Sequence, residues 1–231
     1  MTQFKSRRES AYTCVMTGPQ SETELAKALR RGESKRVTPL DAFHAAKRKW
    51  LGGERIEIGA LAVELGVGRA TLFRWIGSRE KLLGEILWSV CAQTLVDTGA
   101  RIHTRGPRRI ATILQELVLT VRESPPMRRF LEEDPEYALR LVTSRTGPVQ
   151  SNMVAEVKRM LAEEVARGAM EAPLPLDTLA FLVVRVCESF VYAEAISGGM
   201  LGAADVRLAV ELLLSGRVEK ESQVSGGTEL P

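Results

Sequence analysis

Apolar residues along this chain recur at three- and four-residue spacing, and alternation at two is nearly absent, so the pattern predicts an all-α protein. A first helix is expected over 39–51. Thr38-Pro39-Leu40-Asp41 offers an N-cap threonine, a proline at the first helical position and an acid in the first turn. Phe43, Ala46 and Trp50 make its apolar stripe, and Gly52-Gly53 stop it. Ile58, Leu61, Ala62 and Leu65 mark a second, short helix over 58–65. Gly66 ends it, because the residue past a helix C-terminus often takes a positive φ that glycine adopts without strain. Val67 plugs the turn. A third helix over 69–75 turns Leu72 and Ile76 inward and leaves Arg69, Thr71, Phe73, Arg74 and Trp75 facing outward. Ser78 caps a long fourth helix, over 79–102, that reads as a connector. Further helix signals cover 107–123, 127–133, 135–145, 149–169, 176–196 and 205–214. Proline or glycine punctuates the gaps, at Pro125-Pro126, Pro135, Gly147-Pro148, Gly168, Pro173, Pro175 and Gly198-Gly199.

Two short helices around a tight turn are the geometry that lays one helix in the major groove of DNA. An ordinary αα-hairpin of a helical core has the same pattern, and charge separates the two. Residues 35–81 hold ten Lys/Arg against five Asp/Glu, a net +5, while residues 82–231 carry −4 in a chain of overall charge +3. The positive field sits where phosphate neutralisation would need it.

At 231 residues and 45% apolar content the chain can bury a real core. No stretch reaches the roughly 18 unbroken apolar residues of a membrane span. The longest apolar region, 174–196, is broken by Asp177, Arg185, Glu188 and Glu194, and Arg7, Arg8 and Glu9 are followed by no signal-peptide core. A cytoplasmic protein with no membrane partner is expected. Cys14, Cys91 and Cys187 fit neither metal spacing nor a disulfide framework, and His44 and His103 stand alone. With no G-x-S-x-G elbow, metal cluster or Gly-rich phosphate loop, neither a cofactor nor a metal is expected, and the enzyme reading is disfavoured. Residues 1–20 are polar and mixed, Ser21-Glu22-Thr23-Glu24 has capping-box spacing before a short helix, Met16 competes with Met1 as translation start, and the tail after Arg217 is polar.

The basic head, the connector and an all-helical remainder together resemble the TetR family of bacterial repressors. Leu61-Ala62, Leu65-Gly66-Val67, Ala70-Thr71-Leu72-Phe73 and Ser78-Arg79-Glu80-Lys81-Leu82-Leu83 carry the likeness. Within that family the chain looks most like regulators of quorum-signal (lactone) breakdown in actinobacteria. The implied fold class is all-α, with an N-terminal helix-turn-helix head joined by a long connector helix to a C-terminal helical ligand-binding and dimerisation bundle. The implied organisation is an N-terminal extension over 1–35, a DNA-binding domain over 36–84, a ligand-binding and dimerisation domain over 85–217 and a polar tail over 218–231. The resemblance also implies a homodimer whose two heads read a palindromic double-stranded operator and release it when a small hydrophobic or amphiphilic effector fills each body.

By family position, Arg69 and Thr71 reach base edges, Phe73, Arg74 and Trp75 meet phosphates and thymine methyls, and Lys81 meets a phosphate. Lys35 and Arg36, just before the first helix, are candidates for a basic arm in the minor groove, with a solvated leader as the plainer reading. Three residues depart from the family pattern. Gly68 stands where a capping Ser/Thr is usual, a loss of a few tenths of a kcal/mol. Phe73 replaces a tyrosine, and Trp75 a smaller ring.

In the body, the helix over 176–196 is apolar almost all round, as a helix buried on every side would be. Together with 205–214 it is the expected dimer interface, with a monomeric bundle core as the alternative. Candidate effector contacts are Trp88, Cys91, Leu95, Met127, Phe130, Tyr137, Met153, Phe181, Arg185, Glu188, Phe190 and Tyr192, each equally at home in plain core. Arg185 and Glu188 fall three apart and can pair, so an amphiphile with a short polar head, such as an acyl lactone, fits this composition. The competing readings are a DNA-binding dimer with no small-molecule ligand and, less favoured, an enzyme.

Overall fold

Thr38 and Asp41 cap the first helix reciprocally: the Asp41 amide donates to Thr38 Oγ1 at 3.3 Å and the Thr38 amide to Asp41 Oδ2 at 2.9 Å. That exchange fixes the start of α1 (Pro39–Leu51) in the computed structural model, which describes residues 37–144, 147–197 and 202–216. The expected N-terminal extension, with Cys14, Lys35 and Arg36, and the tail after residue 216 lie outside the described residues. Ten helices follow one another among the described residues, and no strand is found there.

The head is α1, α2 (Ile58–Glu64) and α3 (Arg69–Ile76). Ala42, Ala45, Ala46 and Trp50 are the buried stripe of α1, whereas Phe43, expected inside, lies at the edge of that stripe and is half-buried against the His44 ring. The connector α4 (Arg79–Arg101) spans about 35 Å at 1.5 Å per residue. Ser78 caps it by accepting from the Lys81 amide at 3.1 Å.

The body continues with α5 (Gly106–Glu123), α6 (Pro125–Glu133), α7 (Pro135–Thr143), α8 (Pro148–Ala166), α9 (Leu176–Ser197) and α10 (Ala203–Ser215). Four of these six have proline at N1 or N2 and another a glycine before it, so the punctuation read from sequence sets the breaks. The α5 helix carries α10 along one side, α8 carries α9, and α4 runs against α5 and α8. Residues of α5, α8, α9 and α10 form one apolar core, with Ile110, Leu161, Leu179, Val183 and Val206 fully enclosed.

A second core does not respect the division into head and body. Leu61 and Leu72 of the head share it with Leu82, Leu83 and Ile86 of α4, Met127 and Leu131 of α6, Leu141 of α7, Val149 of α8 and Tyr192 of α9. The described residues from Val37 onward therefore form one compact unit. A three-helix head of this size buries too little on its own and gains its missing apolar cover from α4, α6 and α7. At one place the helices approach too closely for any side chain: a Cβ at Gly84 of α4 would stand 2.8 Å from Pro148 Cγ at the start of α8.

Candidate functional site

The turn between α2 and α3 is closed by its own backbone. The Val67 amide donates to the Ala62 carbonyl at 3.0 Å and the Gly66 amide to Val63 at 3.1 Å, with Gly66 at φ 64°. This paired bonding past a helix end satisfies the last carbonyls of α2 and turns the chain sharply into α3. Gly68 gives α3 no side-chain cap. Leu72 is fully buried and pins α3 to the core, so the opposite face points to solvent. Arg69, Phe73 and Arg74 are exposed there, Thr71 is half-buried, and Lys81 is exposed one turn into α4. Trp75, expected to face outward, is half-buried against the head core, because its large ring covers apolar surface that a smaller residue would leave open. Arg69 folds its guanidinium back over Gly59 of α2, so closely that a Cβ at 59 would collide with its Nη2.

The head is tied to the rest by polar bonds as well as by its shared core. Arg79 Nε donates to the Ile56 carbonyl at 2.9 Å, fixing the α1–α2 loop to the start of the connector. Arg129 Nη1 of α6 donates to the Gly53 carbonyl at 2.5 Å. Tyr137 of α7 lies edge-on to Phe130, with the Arg79 and Arg140 guanidinium carbons each 5.6 Å from its ring centre. Burial pushes the Tyr137 hydroxyl above its ordinary pKa.

Behind this seam the body holds an apolar cavity of about 130 Å³. Its walls come from α4 (Val90, Cys91, Thr94), α5 (Leu114, Val118, Val121), Met127 of α6, α8 (Val149, Gln150, Met153) and α9 (Val184, Cys187, Glu188, Tyr192). Trp50, from the first helix of the head, completes it. Burial shifts the groups on this wall. The Cys91 thiol is pushed up to about 11 and the Cys187 thiol to about 12, so both stay protonated at neutral pH. The Tyr192 hydroxyl is raised by burial and then by the nearby Glu188 carboxylate. Burial also raises Glu188, against the pull of Arg185, whose Nη1 donates to Glu188 Oε2 at 2.6 Å.

Of the twelve residues singled out from sequence for this site, Cys91, Met127, Met153, Glu188 and Tyr192 meet at the cavity. Leu95 and Phe190 belong to the body core, and Phe130 and Tyr137 to the seam with the head. Trp88 is half-buried away from the wall. Phe181 and Arg185 are exposed on the outer face of α9, where Arg185 reaches inward only through Glu188. Sequence reasoning missed Trp50 as cavity wall, having read it as head core. It also missed Gln150, a polar residue on the same buried stripe as Met153 and Val157, which is the signal that would have found it.

No helix of the described residues is long and apolar enough to cross a membrane. Residues 105–215 match the family model described as Tetracyclin repressor-like, C-terminal domain. Among solved structures, the chain is similar to the R. erythropolis transcriptional repressor QsdR from the TetR family, at 26% identity and a TM-score of 0.71, over 76% of this chain and 93% of that one. It also matches, more loosely, the TetR family transcriptional regulator PfmR from Thermus thermophilus, at 19% identity and a TM-score of 0.40, over 77% of this chain and 98% of that one. No curated protein matches it.

Proposed function

We propose that the chain, whose residues 105–215 match the Tetracyclin repressor-like C-terminal domain and whose fold is similar to that of the repressor QsdR, is a dimeric DNA-binding repressor of the TetR type, released from a palindromic operator when a small amphiphile fills the body cavity. One observation carries this reading: Trp50 is at once part of the head's first helix and part of the cavity wall. A cavity of about 130 Å³ is near the size that encloses a single benzene ring. An occupant with a longer chain must push its walls apart. Trp50 and Met127 then carry the displacement into the head, and Arg129 carries it to the α1–α2 turn through its bond to Gly53. A ligand that favours the expanded body disfavours the head spacing that fits DNA, and the linkage is reciprocal.

The DNA-binding surface is the exposed side of α3 with Arg69, Thr71, Phe73 and Arg74, the edge of Trp75, and Lys81. Lys35 and Arg36 are retained as a candidate arm. Arg69 leaves its resting position over Gly59 to reach a base edge, and Lys81 contacts a phosphate. The dimer forms through α9 and α10, a reading supported by Phe181, Leu208 and Leu212, which are 46%, 53% and 66% exposed. Large side chains left in water along two neighbouring helices mark a surface that a second copy would cover. An acyl lactone is one amphiphile of suitable shape, and the similarity to the repressor QsdR supports repression as the mode of action.

The test is a gel shift of the purified protein on DNA upstream of its own gene and its neighbours, with and without a panel of acyl lactones. A specific shift relieved by one lactone supports the whole reading. A shift that no compound relieves, joined to a flat thermal response across a hydrophobic panel, leaves a DNA-binding dimer without a small-molecule effector. No specific shift at low salt overturns the proposal. Arg69→Ala is expected to weaken specific binding by about 1–3 kcal/mol. Lys81→Ala is expected to weaken all DNA about equally and lower the salt slope by about one unit.

A further inference from the structure

Two buried oxygen atoms belonging to residues of the cavity wall have no hydrogen-bond partner: Oε1 of Gln150 on α8 and the hydroxyl of Tyr192 on α9. Gln150 is 5% exposed and Tyr192 4%. Buried polar atoms in folded proteins are nearly always paired, so two orphans on one cavity call for a missing partner. Everything else about the wall limits what that partner is. Among the described residues that line the cavity there is no Lys, Arg or His. Its one charged residue is Glu188, already bonded to Arg185. A carboxylate brought in here would meet a like charge and find no cation to balance it. An ammonium would compete with Arg185 for a carboxylate already engaged. The amide oxygen of Gln150 only accepts, whereas the Tyr192 hydroxyl can donate.

We propose that the effector's polar group is an uncharged hydrogen-bond donor and acceptor, a carboxamide or a hydroxyl, that donates to Gln150 Oε1 and accepts from the Tyr192 hydroxyl, with its apolar chain among the aliphatic residues of α5. The inference rests on the cavity being the effector site. It narrows the amphiphiles that composition allows, since a free fatty acid and an alkylamine are both excluded and an ester, which only accepts, fills half of the arrangement.

The experiment uses the full chain and five compounds with the same eight-carbon chain: octanamide, octanol, methyl octanoate, octanoate and octylamine. Each is titrated by calorimetry. Octanamide and octanol are expected to bind roughly tenfold or more tightly than the other three, the scale of one hydrogen bond gained in a dry site. Gln150→Met and Tyr192→Phe should each remove most of that preference while leaving methyl octanoate binding in place. The thermal midpoint of ligand-free Gln150→Met should be unchanged or higher, because an orphan oxygen is removed; a lowered midpoint would mean that the oxygen is satisfied and would count against the site. Octanoate or octylamine binding as tightly as octanamide, or a preference that survives both substitutions, overturns the inference and leaves the cavity as effector site intact. Binding by none of the five removes the effector site and the inference together.

Discussion

Gln150 and Glu164 sit on the same buried stripe of α8, near its two ends, and the fold treats them oppositely. Glu164 is a carboxylate at 2% exposure, and it is fully compensated. It accepts from the Gly106 amide at 2.7 Å and from Arg167 Nη1 at 2.8 Å, and Arg109 Nε lies 3.4 Å away. These bonds lock the start of α5 to the end of α8, and Arg109 also donates to the carbonyls of Gly99 and Ile102 at the end of the connector. Gln150, nearly as buried, keeps its oxygen unpaired beside a cavity. A buried charge survives only when paired, so the Glu164 end is a structural clamp. An unpaired neutral amide carries a smaller cost, which binding can later recover. One end of α8 is finished and rigid, and the other is left open next to the helices that touch the head.

The contrast is most easily broken at the clamp. Glu164→Ala leaves Arg109 and the Gly106 amide without their partner, and should lower unfolding stability by about 3–5 kcal/mol in urea denaturation. A loss below about 1 kcal/mol would show, by the same principle, that the site is solvated and no clamp at all. Gly84→Ala acts at the open end, where a methyl group would press on the rigid Pro148 ring. Overpacking of this kind costs about 1–3 kcal/mol, read as a shifted denaturation midpoint, and should also blunt effector binding by moving Gln150. Gln150→Met should leave stability unchanged or raise it by up to about 1 kcal/mol, the opposite of Glu164→Ala in the same helix.

Glu188 gives the smallest and most pH-specific effect. Burial holds its folded-state pKa above the ordinary carboxylate value, with Arg185 opposing. Its contribution to stability is therefore fully present below the unfolded pKa and is lost as pH rises through the folded value. Glu188→Gln should match the parent protein in acid and become the more stable of the two as the pH approaches neutrality. Thermal melts across that range check the sign, and a parent protein that gains on the variant with rising pH would contradict it.

The head was legible because its signals are local. Thr38-Pro39, Gly66 and Ser78 each act within four residues, through caps and a turn that need no tertiary context, and the structure has them where the sequence puts them. The order of the helices in the body was legible for the same reason, from prolines and glycines. The cavity was not, since a leucine on a packed face and a leucine on a cavity wall look the same in a sequence. Phe181 and Phe190 illustrate this: both sit on α9, one 46% exposed and the other in the core, and only helix packing decides which. Trp50 lies in the buried stripe that its spacing predicts, and its second role as cavity wall was hidden for a related reason, because the shared core lets a head residue serve the body. Polarity out of register was read in Glu188, and the same signal, a polar side chain where the stripe calls for an aliphatic one, went unread in Gln150 and Glu164.

The central claim is that the cavity and the DNA-binding face are linked through one protein. The direct measurement is fluorescence anisotropy of labelled operator DNA, titrated with protein in the absence and in the presence of a saturating effector, paired with effector titration of free and DNA-bound protein. The account predicts that the effector weakens DNA binding by some factor and that DNA weakens effector binding by the same factor. Equal effector affinity with and without DNA would contradict it.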